Sequence, residues 1–330
     1  MPIRAFLPQG PTLLSSGVLL GLALPDLADA ARPLMPLAIF LIVLGPLLTI
    51  DLGAVGAALT KPIPALVLPL AVMVASPLAA AALAGLAGVG TELALAIVLA
   101  AAVPPSSGTT AVAQMLGLDG AVPLVATLVS MALAPVTVPL IAAWFGGLSL
   151  APLVLALKLA ALVGGAAVLA LLARRYAAGV LAAHGRLADG ITVLALLVFA
   201  LAAMAGMRAA IGADPALALR CLALAFAVNI GLQLTGALVL PGSFRERVTV
   251  GLVLGNRNVG LVWSALGAAA SPKLALYFAA SQLPIYILPR FVQILCDRQE
   301  RAPAPVSSPA GKSADAGQPP SSRQPTKART

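Results

Sequence analysis

The chain has 330 residues, of which 61% are hydrophobic and 9% are charged, and its formal net charge is +9. A soluble globular protein carries about 25% charged residues, so this composition excludes soluble enzymes and soluble DNA-binding domains. The apolar runs are long and nearly continuous, whereas the strands of a transmembrane β-barrel alternate apolar and polar residues. We therefore predict an all-α membrane protein with many membrane-spanning helices.

Dividing the apolar runs at Pro, Gly and charged residues predicts ten membrane-spanning helices. In chain order they cover residues 11–27, 33–52, 62–87, 91–117, 120–145, 151–175, 187–208, 215–240, 244–269 and 272–296. The first is short against the bilayer core, so a topology without it is the alternative. The helices form one domain, residues 1–296, and residues 297–330, rich in Pro, Ser, Ala, Gln and Lys, are predicted to be a disordered tail.

Lysine and arginine are divided unequally between the two ends of the predicted helices. One end carries Arg4, Lys61, Arg174, Arg175, Arg186, Arg245, Arg247 and the basic tail, and the other carries mainly Arg32, Arg208 and Lys273. This imbalance predicts that both termini are cytoplasmic in the cell (inner) membrane. We expect the lipid bilayer, and no nucleic acid, as the partner of this charge; the sequence leaves the oligomeric state open.

The ten helices divide into two sets of five, residues 11–145 and 151–296. Because five is odd, the second set enters the membrane from the opposite side, which is the inverted-repeat plan of many secondary transporters. The fourth helix of each set has a polar interruption in its middle, PPSSGTT from Pro104 to Thr110 and GNRN from Gly255 to Asn258. We predict two discontinuous, crossing helices, with a simple proline kink in helix 4 as the alternative.

Arg257 lies too far from either end of the ninth helix for its side chain to reach the membrane surface. An unpaired arginine at this depth costs at least about 2.5–3.5 kcal/mol, so it must face a cavity or a partner. No Asp or Glu falls in the middle of any predicted helix. The partner is therefore either backbone carbonyls at the end of a broken helix or a substrate anion.

The polar residues of the two breaks form the predicted substrate site. Half-helix N-termini carry partial positive charge, so hydroxyls and N–H groups after Pro105 would receive a carboxylate. The set is Ser106, Ser107, Thr109, Thr110, Asn256, Arg257 and Asn258. Nearby candidates for a cavity or ion site are Gln114, Thr127, Ser130 and Gln282, and a sodium ion, if one binds, would lie near Thr110, Thr127 and Ser130. Asn229 and Gln233 share a face of helix 8 at i, i+4; we expect them to form hydrogen bonds between helices, with the lining of a pocket as the alternative.

The chain has one histidine, His184, which the sequence places in a loop, and two cysteines, Cys221 and Cys296. Neither cysteine lies in a CxxC motif or a Cys/His cluster, so we expect no metal centre, disulfide framework or cofactor. No Ser/His dyad or acidic pair lies inside the predicted helices, so we expect no enzyme and no catalytic residue.

The ten-helix pattern, the PPSSGTT break, the G-x-x-N of Gly255–Asn258 and the stretch GVLLGLALPDLADAARPLMPLAIFLIVL resemble the bile acid:sodium symporter family. The resemblance covers about residues 10–295. It implies a panel bundle and a core bundle, with an organic anion bound beside the crossing of helices 4 and 9. Its members carry bile acids, other sterol conjugates or small carboxylates, usually with sodium.

The helix 4 break departs from the pattern of that family. Pro105 is followed by Ser106 and Ser107 where the family typically has two glycines, and Thr110 and Ala111 stand at the positions of a Ser-Asn pair. The related arsenite permeases normally have a cysteine in this region, which this helix lacks.

The positions that correspond to the sodium site of the family differ further from the family pattern. Val253 stands at a family acidic position, Arg257 at a glutamine of helix 9, and Val72 at a glutamine of helix 3. A hard cation such as sodium needs oxygen ligands, ideally with a carboxylate. We hypothesise that the Arg257 guanidinium occupies the space of a sodium ion, which would make transport sodium-independent.

The sequence therefore predicts a secondary active transporter of an organic anion, working by alternating access. The alternative is a cation/proton antiporter of similar crossed-helix fold, a class that usually needs an acidic residue in mid-membrane. A channel is disfavoured because no ring of acidic residues or carbonyl-rich filter is evident.

Overall fold

The computed structural model describes residues 10–301. These residues are almost entirely helical and include no β-strand. Six stretches of this described part are long and apolar enough to cross a membrane: Pro25–Thr49, Ile63–Leu86, Ala121–Phe145, Pro152–Tyr176, Gly190–Ala213 and Pro215–Val239. Two shorter apolar helices, Thr91–Ala102 and Val259–Ala269, accompany them. The protein is an all-α, multi-pass membrane protein, as the composition predicts.

Sixteen α-helical segments make up the described chain. They are α1 (Gly10–Ala23), α2 (Pro25–Ala31), α3 (Met35–Thr49), α4 (Leu52–Leu59), α5 (Leu68–Leu70), α6 (Ser76–Leu86), α7 (Thr91–Ala102), α8 (Gly108–Met115), α9 (Ala121–Phe145), α10 (Pro152–Tyr176), α11 (Ala178–Ala202), α12 (Met207–Ala213), α13 (Pro215–Val239), α14 (Phe244–Gly255), α15 (Val259–Leu266) and α16 (Pro272–Arg301). Short 3₁₀ turns join α2 to α3 and follow α15, and π-helical segments Ile63–Val67 and Ala71–Ala75 flank α5.

Several predicted boundaries are wrong, and prolines explain the first of them. The second span begins at Pro25 rather than at residue 33, because Pro33 and Pro36 occupy first-turn positions of successive helical segments. A proline there loses no hydrogen bond, since the first N–H groups of a helix have no intrahelical partner. The first helix correspondingly ends at Ala23, four residues earlier than predicted.

Two further helix boundaries, near the middle and the end of the chain, differ from the prediction. His184 lies inside α11, at a kink with φ −120° and ψ 22°, and not in a loop. Helix α11 ends at Ala202, and Gly206, with φ 73°, directly precedes α12, so the span Gly190–Ala213 is interrupted. Residues 297–301 continue α16, so the predicted disordered tail is wrong for them; residues 302–330 lie outside the described residues.

Two groups of helices pack side by side. In the first bundle, α3 packs against α10 and α11, and α1 packs against α11. In the second bundle, α13 packs against α14 and α16, α6 against α7, and α9 against α7, α8 and α14. The bundles meet where α10 contacts α9 and α15, and where α1 contacts α16.

Glycines allow the helices of each bundle to approach closely. A Cβ at Gly21 would lie 2.7 Å from the Cβ of Met204 across the α1–α11 contact, and one at Gly251 would lie 2.7 Å from the carbonyl oxygen of Gln233 across the α13–α14 contact. No hydrophobic driving force acts between helices inside the bilayer, so their close packing depends on such small residues.

The α13–α14 contact can be tested by enlarging one of its glycines. We expect Gly251→Leu to destabilise the protein by about 1–3 kcal/mol, because backbone and not a movable side chain blocks the space. Gly231→Leu on α13 is the matched control, since a Cβ there meets nothing within 4 Å. Thermal unfolding in one detergent compares the two, and equal melting temperatures would contradict this account of the contact.

Candidate functional site

The two predicted breaks are real and lie against each other. Residues 103–107 separate α7 from α8, and residues 256–258 separate α14 from α15. The two extended segments pair in antiparallel fashion: Ser106 N donates to Asn256 O at 2.8 Å, and Asn258 N donates to Pro104 O at 2.9 Å. The simple proline kink is therefore wrong, because the interrupted backbone makes strand-like hydrogen bonds with a second interrupted helix.

Arg257, at the centre of this crossing, is 4% exposed. Its Nη1 atom donates to the carbonyl oxygens of Val72 and Val103, each at 3.3 Å, and its Nη2 atom donates to Ser76 Oγ at 2.7 Å. Of the two partners that the sequence allows, the structure gives backbone carbonyls. The side chain joins the third span to the ends of both broken helices.

Prolines leave both of these carbonyls without an intrahelical donor. In the π-helical segment Ala71–Ala75, Ser76 N bonds to Ala71 O, so the next carbonyl, that of Val72, would need a donor at residue 77. That residue is Pro77, which has no N–H. Val103 ends α7 directly before Pro104 and Pro105, so its carbonyl faces two residues that cannot donate. The guanidinium satisfies the two carbonyls together.

Asn229 supplies the hydrogen-bond donor for the last carbonyl of the other broken helix. Its Nδ2 atom donates to Gly255 O, the last carbonyl of α14, at 2.9 Å. Gln233 Nε2 in turn donates to Asn229 Oδ1 at 2.7 Å. The predicted hydrogen bonding of this i, i+4 pair between helices is confirmed, but the sequence does not reveal that its acceptor is the helix break.

A cavity of about 420 Å³ lies beside the first break, between α3, α8 and α9. Ser107, Thr110, Gln114 and Thr127 line it together with Asp51, the one charged residue of its lining in the described chain. The remaining wall is mostly apolar, from Val43, Pro46, Leu47, Leu124, Leu128 and Met131. Hydroxyl and amide groups on one side and hydrocarbon on the other suit an amphipathic small molecule.

The first turn of α8 adds backbone donors near this cavity. Thr109 N donates to Ser106 O at 2.9 Å, and Gly108 N to Ser106 Oγ at 3.4 Å. A helix N-terminus carries partial positive charge and favours an anionic group.

The predicted site thus divides into two parts. Four residues line the cavity, whereas Asn256, Arg257 and Asn258 are buried in the crossing and are not among its lining residues. Gln282 is in neither part: its Nε2 donates to Phe278 O at 3.2 Å and its Oε1 accepts from Tyr286 at 3.2 Å, both along α16. Sequence analysis missed Asp51 and Ser76; the Ser76-Pro77 step in an apolar span was the one available signal for the latter.

Five buried oxygen atoms near the crossing have no hydrogen-bond partner in the described chain. They belong to Ser107, Thr109, Thr127, Ser130 and Asn256. Unpaired buried oxygens are rare and call for a water molecule or an ion. They are poor ligands for sodium by themselves, because the acidic position is the fully buried Val253 and because no cluster of three or more His, Cys, Asp or Glu occurs in residues 10–301.

No protein-family model and no curated protein matches this chain. The resemblance to the bile acid:sodium symporters therefore stays a prediction, and function has to be argued from the geometry.

The role of Arg257 predicts a large loss of stability on its removal. We expect Arg257→Met to lower the free energy of unfolding by about 2–4 kcal/mol, because buried carbonyls lose their donor. Arg220→Met is the control, since Arg220 is an exposed cation on α13, and it should change the value by less than about 0.5 kcal/mol. Thermal unfolding of both variants is the measurement. Similar melting temperatures for the two variants would show that the Arg257 contacts are dispensable.

Proposed function

We propose that the protein is a secondary active transporter that carries an organic anion across the cell (inner) membrane by alternating access. The cargo is a small carboxylate or a bile-acid-like amphipath. The observation that carries the proposal is the cavity that holds Thr110 and Gln114, because it lies between α3 of the first bundle and α8 and α9 of the second.

The bundles are in close contact beside the crossing. A Cβ at Gly260, in the first turn of α15, would lie 2.5 Å from Ile39 Cδ1 and 2.7 Å from Phe199 Cζ of the first bundle. Ile39 stands one turn before Val43, which lines the cavity. A cavity between two bundles that are in close contact beside the crossing is compatible with one state of an alternating-access transporter.

An internal two-fold relation supports a ten-span inverted repeat. The contact of α1 with α11 has its counterpart in that of α10 with α3, and the contact of α6 with α7 has its counterpart in that of α13 with α14. The packing of α7 on α16 likewise corresponds to that of α14 on α9. In this arrangement the first bundle is the panel and the second the core, and both termini are cytoplasmic by the distribution of Lys and Arg.

The substrate carboxylate binds at the start of α8 in this proposal. Thr110 offers a hydroxyl, Gln114 lies one turn further along the same face, and the apolar wall holds the rest of the molecule. Arg257 contributes long-range charge rather than contact, since it does not line the cavity and its Nη atoms donate to the carbonyls of Val72 and Val103 and to Ser76 Oγ.

Arg257 also supports sodium-independent transport. Its guanidinium already supplies positive charge to carbonyl oxygens that would otherwise attract a cation. A covalently held cation does not dissociate with the substrate, so uniport, exchange or proton-linked transport follows.

Removing the polar groups of the cavity should abolish binding without unfolding the protein. We expect Thr110→Val with Gln114→Leu to lower uptake of a radiolabelled carboxylate into proteoliposomes at least about tenfold, since buried hydrogen bonds to a charged group contribute about 1.5–3 kcal/mol each. The carboxylate is chosen beforehand from a thermal-shift panel.

Thr235→Val is the matched control, because that hydroxyl is exposed on α13 and donates only to Gly231 O along its own helix. Equal uptake by the cavity variant and the control would refute the binding site.

Sodium independence is tested by replacing sodium with choline in the same uptake assay. We expect unchanged initial rates in the natural protein and a rate that rises with sodium in the double variant Arg257→Gln, Val253→Glu, which restores an amide and a carboxylate. Uptake that collapses in choline would contradict the role given to the guanidinium.

Asp51 favours one alternative, a cation/proton antiporter, because it places a carboxylate in the lining of the cavity. It already accepts a hydrogen bond from Gly53 N at 2.8 Å, which suits a structural role at the start of α4. Cation-driven proton release from proteoliposomes that is lost in Asp51→Asn would establish the antiporter instead.

A further inference from the structure

A second cavity, of about 400 Å³, opens at the end of the second bundle where α9 begins and α13 ends. We call it the basic cleft, because Lys61, Arg245 and Arg247 line it. We propose that the basic cleft binds the phosphodiester headgroup of an anionic phospholipid. This site is separate from the transport cavity and does not depend on the proposed transport function.

The two acidic residues of the cleft are held by backbone contacts. Asp119 Oδ1 accepts from Ala121 N at 2.8 Å at the start of α9. Glu246 Oε2 accepts from Ser243 N at 2.8 Å and from Ser243 Oγ at 2.9 Å in the capping box of α14. These oxygens accept hydrogen bonds at helix N-termini, and Lys61 and Arg247 form no ion pair with them in the described chain.

Two of the cations have donors to spare. Arg247 donates from Nε to Ala237 O at 2.5 Å, and its two Nη atoms have no partner in the described chain. Lys61, at the start of the third span, is exposed, and its side chain makes no hydrogen bond or ion pair among the described residues. A planar arginine fork beside a lysine is a good receptor for a phosphate group.

Apart from Thr249, the remainder of the lining is apolar, which favours a lipid over a free phosphate. Ile63, Val122, Leu240 and Val250 contribute hydrocarbon to the cleft. On the same helices, Leu66 is 58% exposed and Leu238 is 69% exposed, so acyl chains can continue along lipid-facing side chains. Basic pockets between membrane helices at the cytoplasmic surface bind anionic headgroups in this manner.

The full-length protein in detergent provides the test. Its melting temperature and its bound lipids, by native mass spectrometry, are measured with dioleoylphosphatidylglycerol, with dioleoylphosphatidylcholine and with glycerol phosphate. We expect phosphatidylglycerol alone to stabilise the protein and to remain bound. Equal stabilisation by phosphatidylcholine, or by glycerol phosphate without acyl chains, would overturn the proposal.

Lys61→Glu locates the site, because it reverses a charge without removing any intramolecular bond of residue 61. We expect it to weaken phosphatidylglycerol binding at least about fivefold, as one surface cation contributes roughly that factor. Arg208→Glu, an exposed cation at the opposite end of the bundle, is the matched control and should keep the affinity of the natural protein. Equal affinities of the two variants would place the lipid elsewhere and refute the basic cleft.

Discussion

The structure depends on one constraint: backbone groups inside a membrane must find hydrogen-bond partners within the protein. Prolines oppose this requirement locally, because each one lacks the backbone N–H donor and leaves a carbonyl without its hydrogen-bond partner. Pro77 and the pair Pro104-Pro105 do so at neighbouring places in the second bundle, and the Arg257 side chain restores both partners. A single buried cation thereby makes two interruptions compatible with a folded core.

The two broken helices are repaired by different chemistry. On one side an amide, Asn229, donates to the last carbonyl of α14, and on the other a guanidinium donates to the last carbonyl of α7. The donor for α14 comes from α13, its neighbour in chain order, whereas the donor for α7 comes from the opposite broken helix. The side chains of Asn229 and Arg257 therefore stabilise the crossing together with the two strand-like backbone hydrogen bonds.

Sequence reasoning was most successful where composition and helix breakers act locally. Long apolar runs predicted the all-α class, and the clusters at Pro104–Thr110 and Gly255–Asn258 predicted both interruptions, because proline and consecutive polar residues disfavour helix regardless of tertiary context. Boundaries near Pro33 and His184 were missed because proline in a first turn continues a helix and a kink does not end one.

The site was predicted only in part, for a physical reason. The residue type alone shows that Arg257 needs a hydrogen-bond partner. Which partner it finds depends on the carbonyls that other spans leave unpaired. Identifying the Val72 carbonyl requires knowing the hydrogen-bond register of the third span. The π-helical turns that free Val72 O arise from packing and proline positions that no periodicity signals. Thr110, Gln114 and Thr127 were predicted because they lie on two consecutive helices, whereas Asp51 lies between α3 and α4.

The fixed attachment of the Arg257 cation has an electrical consequence. In the proposed transporter working as a uniporter, the Arg257 cation stays with the protein while the carboxylate crosses, so each turnover would displace one negative charge across the bilayer. A potential of 100 mV, negative inside, then favours outward movement of that charge by about 2.3 kcal/mol. Voltage, rather than a salt gradient, would set the direction of net flux, and an energised cell would use such a protein for efflux unless a second anion or a proton travels in exchange.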